Sequence, residues 1–300
     1  MRLDECVAKR FGLSRRGARE AIARGQVDVA GEICLEPGRE INPEVSLCYF
    51  PSRPRPAVAA RRLRVLYEDE HVLIADKPAG VLTQPTRDRE RDTLLERAGR
   101  YLMRSRGVKR PYVGIVHRID RDTSGVVLLV CSPAALRPFQ ALFRAHSIER
   151  SYIAVAEGEI SPACGTIDRP VVVDRGDGRR GTARRADEGS RAITHYESLD
   201  RFGGTATKLL CRLETGRTHQ IRIHLAEAGH PLVGERVYRS RTRPPFPVAF
   251  PRQALHAQGL GFVHPFTGQA MNIEASLPDD LSNLVAILHS RYGRATRPRD

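Results

Sequence analysis

The spacing of hydrophobic positions changes several times along the chain, and each change marks an element. Residues 3–11, LDECVAKRF, and the stretch opened by Ser14 both read as helices. In the second, Ala18, Ala21 and Ile22 form an apolar stripe, Ser14 is a good N-cap and Gly25 supplies the stop. Arg15, Arg16, Arg19 and Arg24 are left for the outer surface. Short strands around Val27–Val29 complete a unit over residues 1–50. PSRPRPAVAARR, from Pro51 to Arg62, is proline-rich and without period, so residues 51–61 read as a semi-extended linker between separately folded units. The second unit covers 62–290, and the polar RYGRATRPRD, residues 291–300, reads as a basic tail.

Within the second unit VLYEDEHVLIADK gives two strands joined at Glu68–Glu70, and KPAG then turns the chain. Gly125–Val130, GVVLLV, is uninterrupted, β-branched and too short for a buried helix, which makes it a central strand covered on both faces. Ser132 and Pro133 open a helix as N-cap and first-turn residue, with Leu136, Phe139, Leu142 and Phe143 on its buried face. ERSYIAVAEG alternates as a strand. Lys208–Leu213 is another, followed by a helix with Ile221, Leu225 and Ala228 facing inward before Gly229 stops it. LHAQGLGFVHPFTGQAMNIEASLP alternates on both sides of a Pro-Phe-Thr-Gly turn. Between Asp174 and Arg191 no apolar residue larger than alanine occurs, which predicts a mobile surface loop. The pattern as a whole is that of a two-domain α+β protein, its larger domain a mostly antiparallel mixed sheet flanked by helices.

Composition adds a partner to this picture. A length of 300 residues and a hydrophobic content of 41% suffice for one mid-sized core and one small one. The formal charge of +14 suggests a polyanion, because clustered cations release counterions from phosphates. Lys9, Lys77, Lys109 and Lys208 are the only lysines; arginine, with its planar fork, suits phosphate and stacks on bases. The six cysteines form no C-x-x-C pair, so they read as reduced and structural rather than as zinc ligands. MRLDECVAKRF lacks a secretory core and no run is long enough to span a membrane, which places the chain in the cytoplasm.

The chemistry concentrates at HRIDRDTSG, 117–125, on the loop that enters the central strand. Thr123, Ser124 and Gly125 are turn formers whose short side chains bond local backbone, so Asp120 and Asp122 are held rigidly among Arg118 and Arg121. On an arbitrary loop such aspartates merely neutralise the arginines. This run resembles the H-R-L-D-x-x-T-S-G of the RNA pseudouridine synthases that modify uridines of ribosomal and transfer RNA, with Ile119 replacing leucine. The resemblance implies that Asp120 is the catalytic aspartate, and that Arg118 enters the space left by a flipped-out base. It extends to K-P-x-G, matched by Lys77, Pro78 and Gly80 beside Asp76, although Gln84 stands where many relatives have histidine. Tyr152 alone reads as a packed strand tyrosine; SYIAVAEG aligned with the family's K-x-Y-x-A-x-V-x-G implies that it stacks on the uracil. GRTHQIRIH, 216–224, resembles G-R-x-H-Q-I-R-x-H and implies that Arg222 pairs with the aspartate.

Arg217, Thr218 and His219 fall at a helix start, where free N–H groups favour an anion. With His117 and Arg118, Arg217 and His219 make up the expected RNA-contacting set. Residues 1–50 resemble the small RNA-binding domain named for ribosomal protein S4, which adds Arg15, Arg16 and Arg19. The implied reaction is isomerisation of uridine to pseudouridine in structured RNA, ribosomal or transfer, by a monomer with no cofactor and no metal. His219, His224 and His230 lack metal-ligand spacing. HRID is interrupted by Ile119 relative to a kinase H-R-D, and TSG is not a nucleophile elbow. The rival reading is a ribosome-associated RNA-binding protein that keeps the scaffold without chemistry; Asp120, Tyr152 and Arg222 speak against it.

Overall fold

The structure, a computed structural model, describes residues 1–29, 32–34, 37–51, 63–86, 92–176, 178–183, 185, 188–240 and 242–293. The expected linker therefore lies outside the described residues except for Pro51, as does the tail beyond Gly293. Contacts divide the chain into Met1–Arg61 and Arg62–Asp300.

In the first unit α1 (Leu3–Phe11) ends at left-handed Gly12, and α2 (Arg15–Ala23) is opened by Ser14, whose hydroxyl accepts the Gly17 N–H at 3.0 Å. Strands β1 (Val27–Val29), β2 (Glu32–Ile33) and β3 (Leu47–Tyr49) form a small sheet with β1 in the middle. Leu3, Cys6 and Val7 pack against Ala18, Ile22 and Val27, which is the stripe predicted for α2. Asp4 is also buried, between Arg2 at 3.1 Å and Arg19 at 2.6 Å. Burial opposes its charge, but the two arginines prevail and lower its pKa.

The second unit runs β4 (Arg64–Glu68), β5 (Val72–Lys77), α3 (Leu94–Ser105), β6 (Gly114–Ile115), β7 (Ser124–Val130), α4 (Pro133–Arg144), β8 (Glu149–Glu157), β9 (Cys164–Asp168), β10 (Val171–Val172), β11 (Gly181–Thr182), β12 (Ile193–Phe202), β13 (Ala206–Leu213), α5 (Gln220–Glu227), β14 (Leu255–Val263), β15 (Ala270–Glu274) and α6 (Asp279–Tyr292). The large sheet has the order β4-β5-β7-β14-β8-β13-β12-β9, with β15 pairing β14 and β6 pairing β7. Among its described pairings only β7 with β14 is parallel; the rest are antiparallel.

β7 is apolar throughout because both its faces are covered. Val126, Leu128 and Val130 pack on Phe139 of α4, while Val127 and Leu129 pack on Leu94, Ala98 and Leu102 of α3. β8 repeats the arrangement, with Ile153 and Val155 under α6, and Ala154 and Ala156 under α5. Tyr152 packs with both the α3 and the α5 clusters, so it stands at the seam between them.

Several expectations change. α3 and α6 are helices the hydrophobic pattern did not assign, and α6 extends to Tyr292, so the tail cannot begin at 291. Ser132 occupies the N-cap of α4 without a capping bond; its hydroxyl lies 3.4 Å from His71 Nδ1 instead. Ala228 is exposed, because α5 ends at Glu227 and buries Gln220–Leu225 on all sides. The 174–191 segment contributes β11, which pairs with β10 as a hairpin. Glu227 of α5 anchors it by accepting the Thr182 N–H at 3.1 Å and its hydroxyl proton, so the described part is not a free loop. No disulfide joins any of the six cysteines, and Cys48 and Cys164 are exposed.

Candidate active site

Residues 117–123 form the loop before β7, and its backbone is pinned from two sides. Buried Lys77 Nζ donates to the carbonyls of Pro78, Val81 and Arg121 at 3.0, 2.6 and 2.8 Å. Gly80 donates its N–H to the same Arg121 carbonyl, and the Thr83 hydroxyl donates to Ile119 O at 3.0 Å. From the other side Arg252, itself held bidentately by Asp280, donates to Asp122 O at 2.9 Å. Gly125 fits this junction for a steric reason. With φ at +114°, an added Cβ would lie 2.0 Å from Ala257 O on the parallel neighbour β14.

The pinned loop presents Asp120, whose Oδ2 accepts from Arg222 Nη1 at 3.0 Å. The other edge of that guanidinium is taken by Glu235: Nε to Oε2 at 2.8 Å and Nη2 to Oε1 at 2.9 Å. Glu235 is fully enclosed and also accepts the Val237 and Tyr238 N–H groups at 2.8 and 3.3 Å. Burial opposes both charges of this pair. The mutual hydrogen bonds outweigh it, so the Glu235 pKa is lowered and that of Arg222, with Asp120 adding, is raised. The bidentate geometry fixes the plane of the fork and therefore the direction in which Nη1 points.

Three more groups converge here. Tyr152 is half-buried on β8, and its hydroxyl is pushed up to about 12 by burial, with Asp120 adding to the rise and Arg150 opposing it. Arg118 is exposed and donates to the Thr218 hydroxyl at 3.2 Å, spanning from the loop to the residue before the α5 cap. His219 caps α5 in the left-handed region and places Nε2 3.6 Å from Asp120 Oδ1.

The remaining expected residues lie apart. His117 turns to the α4 side, stacks on Phe143 with ring centroids 4.7 Å apart, and accepts the Leu128 N–H at Nε2. Burial, with Arg150 adding, pushes its pKa down to about 3, so it is a neutral packing histidine in this geometry. Arg217 precedes the helix and donates to Arg191 O at 2.9 Å, while the Gln220 side chain takes the Arg217 N–H, leaving fewer donors for an anion than the helix start suggested. Arg15, Arg16 and Arg19 belong to the other unit and face Glu5, Glu20 and Asp4. His224 and His230 are engaged elsewhere, His224 between Thr194 and Arg169 O and His230 with Glu157 O.

Glu235 and Tyr238 are the residues sequence reasoning missed. Their partners are thirteen or more positions away, and the only local cue is Gly234, whose φ of +77° and contact with Arg252 O leave no room for a side chain.

The large sheet thus brings the Asp120 carboxylate, the Arg222 guanidinium and Tyr152 together at one place, and comparison with known proteins identifies the family. Residues 71–227 match the RNA pseudouridylate synthase family and residues 1–46 the S4 domain. The chain belongs to the RNA pseudouridylate synthase family. It is 41% identical over 75% of its length to ribosomal large subunit pseudouridine synthase D of Pseudomonas aeruginosa, covering 72% of that protein. With the enzyme of the same name from Zymomonas mobilis it shares 35% identity over 96% of its length and 93% of the relative's. In fold it is similar to human RNA pseudouridylate synthase domain containing 4, with a TM-score of 0.64, 21% identity, and coverage of 75% of this chain and 93% of that one.

Proposed function

We propose that the chain converts uridines of large-subunit ribosomal RNA to pseudouridine, with Asp120 as the group that acts on the ribose. The observation that carries this is the Asp120–Arg222 contact at 3.0 Å, with the arginine locked from behind by Glu235. A carboxylate that must attack carbon 1′ or remove the proton at carbon 2′ has to be aimed, and a guanidinium whose plane is fixed from behind aims it. Breaking the glycosidic bond frees uracil to turn and rejoin through carbon 5.

The base must first leave its stack, at a cost of a few kcal/mol. Arg118, exposed on the loop, fills the gap, and half-buried Tyr152 stacks on the uracil. Residues 1–50 act as a separate RNA-binding domain, their arginines exchanging weak surface ion pairs for phosphates. The ribosomal target is supported by the names of the relatives. We extend the reading to a monomeric, cytoplasmic enzyme; among the described residues no helix is long and apolar enough to cross a membrane.

The test is to map pseudouridine by carbodiimide-dependent reverse-transcription stops in RNA from cells lacking the gene. Loss of one or more stops in large-subunit rRNA, restored by the purified protein, is the expected result. Unchanged ribosomal RNA with stops lost from tRNA moves the target; no change anywhere favours the non-catalytic binding protein.

A further inference from the structure

Rejoining through carbon 5 leaves a hydrogen there that has to depart to a base; Arg222 is none, and beside the Asp120 carboxylate, regenerated in that step, the site offers one further acceptor. The acceptor has to lie close to Asp120, because carbon 5 is by then bonded to carbon 1′, beside the ribose atoms the carboxylate addresses. The groups around Asp120 can be taken in turn. Arg222 has no basic nitrogen, and Glu235 has both oxygens filled by four donors. The Tyr152 and Tyr238 hydroxyls are each pushed up to about 12 by burial, and Lys77 is turned into three backbone carbonyls. His219 remains.

Its ring is held in a defined way. Nδ1 lies 2.6 Å from the Tyr238 hydroxyl, and the two rings meet edge to face with centroids 5.6 Å apart. Nε2, 3.6 Å from Asp120 Oδ1, is too far for a hydrogen bond and makes none among the described residues. In the tautomer that donates Nδ1–H to Tyr238, the Nε2 lone pair is open to the space beside the carboxylate. Tyr238 is placed in turn by its N–H to Glu235 and by the Arg222 guanidinium, 5.3 Å from its ring centre. His219 reaches this position with φ at +61°, a left-handed conformation that non-glycine residues rarely adopt and that concentrates at functional sites. The charged and titratable groups facing the ring are Asp120, Arg222, Glu235, Arg180 and Tyr238. Burial, joined by Arg222 and Arg180, lowers its pKa against Asp120 and Glu235, which favours the neutral ring at pH 7.

We infer that His219, held by Tyr238, is the base that takes the proton from carbon 5 of the rejoined uracil. This rests on the assignment of Asp120 above. In the step the C5–H bond breaks and its proton goes to Nε2. The electron pair re-forms the C5–C6 double bond and the N1–C6 pair moves onto N1, which takes a proton back from the imidazolium. The sum is an isomerisation and needs no oxidant or co-reactant.

Single-turnover conversion of two large-subunit rRNA transcripts, one with hydrogen and one with deuterium at uracil carbon 5, tests it. Wild type should convert both at the same rate. His219→Asn tolerates the left-handed backbone and retains a donor toward Tyr238, but has no basic nitrogen. It should be slower by about 100-fold and show a primary isotope effect, because loss of the carbon 5 hydrogen has become limiting. His219→Gly, free of backbone strain, should recover rate on adding imidazole, following the neutral imidazole fraction as pH changes. A His219→Asn rate within a few-fold of wild type overturns the inference. So does a slowed enzyme with no isotope effect and no imidazole rescue. Failure of the underlying reading looks different: Asp120→Asn would then keep the wild-type rate whatever His219 does.

Discussion

Arg222 donates to two carboxylates at once, and they do different things for it. Asp120 faces the cleft with its side chain 22% exposed, while Glu235 is completely enclosed and serves only to hold the fork. Glu235→Gln keeps the shape but weakens one arm and releases the plane of the guanidinium, a displacement that can cost about 100-fold in rate. Single-turnover rates should fall by that order while RNA affinity stays near wild type; equal rates would show that Arg222 needs no support. Lys77 offers a second test by pH. Burial pushes its pKa down from 10.5 to about 7, with Asp122 and Asp120 opposing, so between those values the unfolded chain binds more protons than the folded one. Stability therefore rises with pH through that window, by up to about 1.4 kcal/mol per unit. Denaturation curves for Lys77→Met should lack that component of the slope, and parallel curves would contradict it. The Asp120–Arg222 contact was legible because both residues lie in contiguous runs, HRIDRDTSG and GRTHQIRIH. Glu235 was not, since a lone acid in GERVY says nothing of an arginine thirteen residues earlier. His117 was misplaced because alternation at a loop-to-strand junction sends neighbours to opposite faces, and only the fold shows that 117 faces α4.

Elements read well from sequence where one period ran unbroken. β7 was recovered as a strand buried on both faces, as was the amphipathic α2. α3 and α6 were passed over although the signals exist: Thr93 and Glu96 form a capping box before Leu94, Ala98 and Leu102, and Leu281, Leu284 and Leu288 recur at helical spacing. Arginines and histidines interleaved with these apolar positions masked the stripe. The α5 helix was misjudged for the opposite reason. Arg222 and His224 look like an outer face, yet both are buried, satisfied by Asp120, Glu235, Thr194 and Arg169. The β7–β14 crossing gives a prediction at this scale. Gly125→Ala places a methyl against Ala257 O and a side chain at φ +114°, so it should destabilise the domain by on the order of 3 kcal/mol or prevent folding. Urea unfolding of that variant beside Gly229→Ala, where φ is also positive but the space is open, separates the clash from the backbone term.

For the whole molecule, a charge of +14 distributed over arginine-rich surfaces implies that binding is largely electrostatic. Affinity for rRNA should fall with salt on a log-log plot with a slope of about −0.7 to −0.9 per phosphate contacted, and removing residues 1–61 should make that slope shallower. The truncated chain, which retains the large sheet and the Asp120 site intact, should fold and still modify RNA more slowly or less selectively. An insoluble product would contradict the independence of the two units.

The central claim is that Asp120, and not a neighbouring charge, performs the chemistry, and Asp122 provides the internal control two residues away on the same loop. Pseudouridine formed in large-subunit rRNA should be measured in single turnover for Asp120→Asn and Asp122→Asn, with RNA affinity measured alongside. The account predicts no detectable product from Asp120→Asn at near-normal affinity, and substantial activity from Asp122→Asn, whose backbone carbonyl rather than its side chain is held by Arg252. Product from Asp120→Asn at the wild-type rate would contradict it.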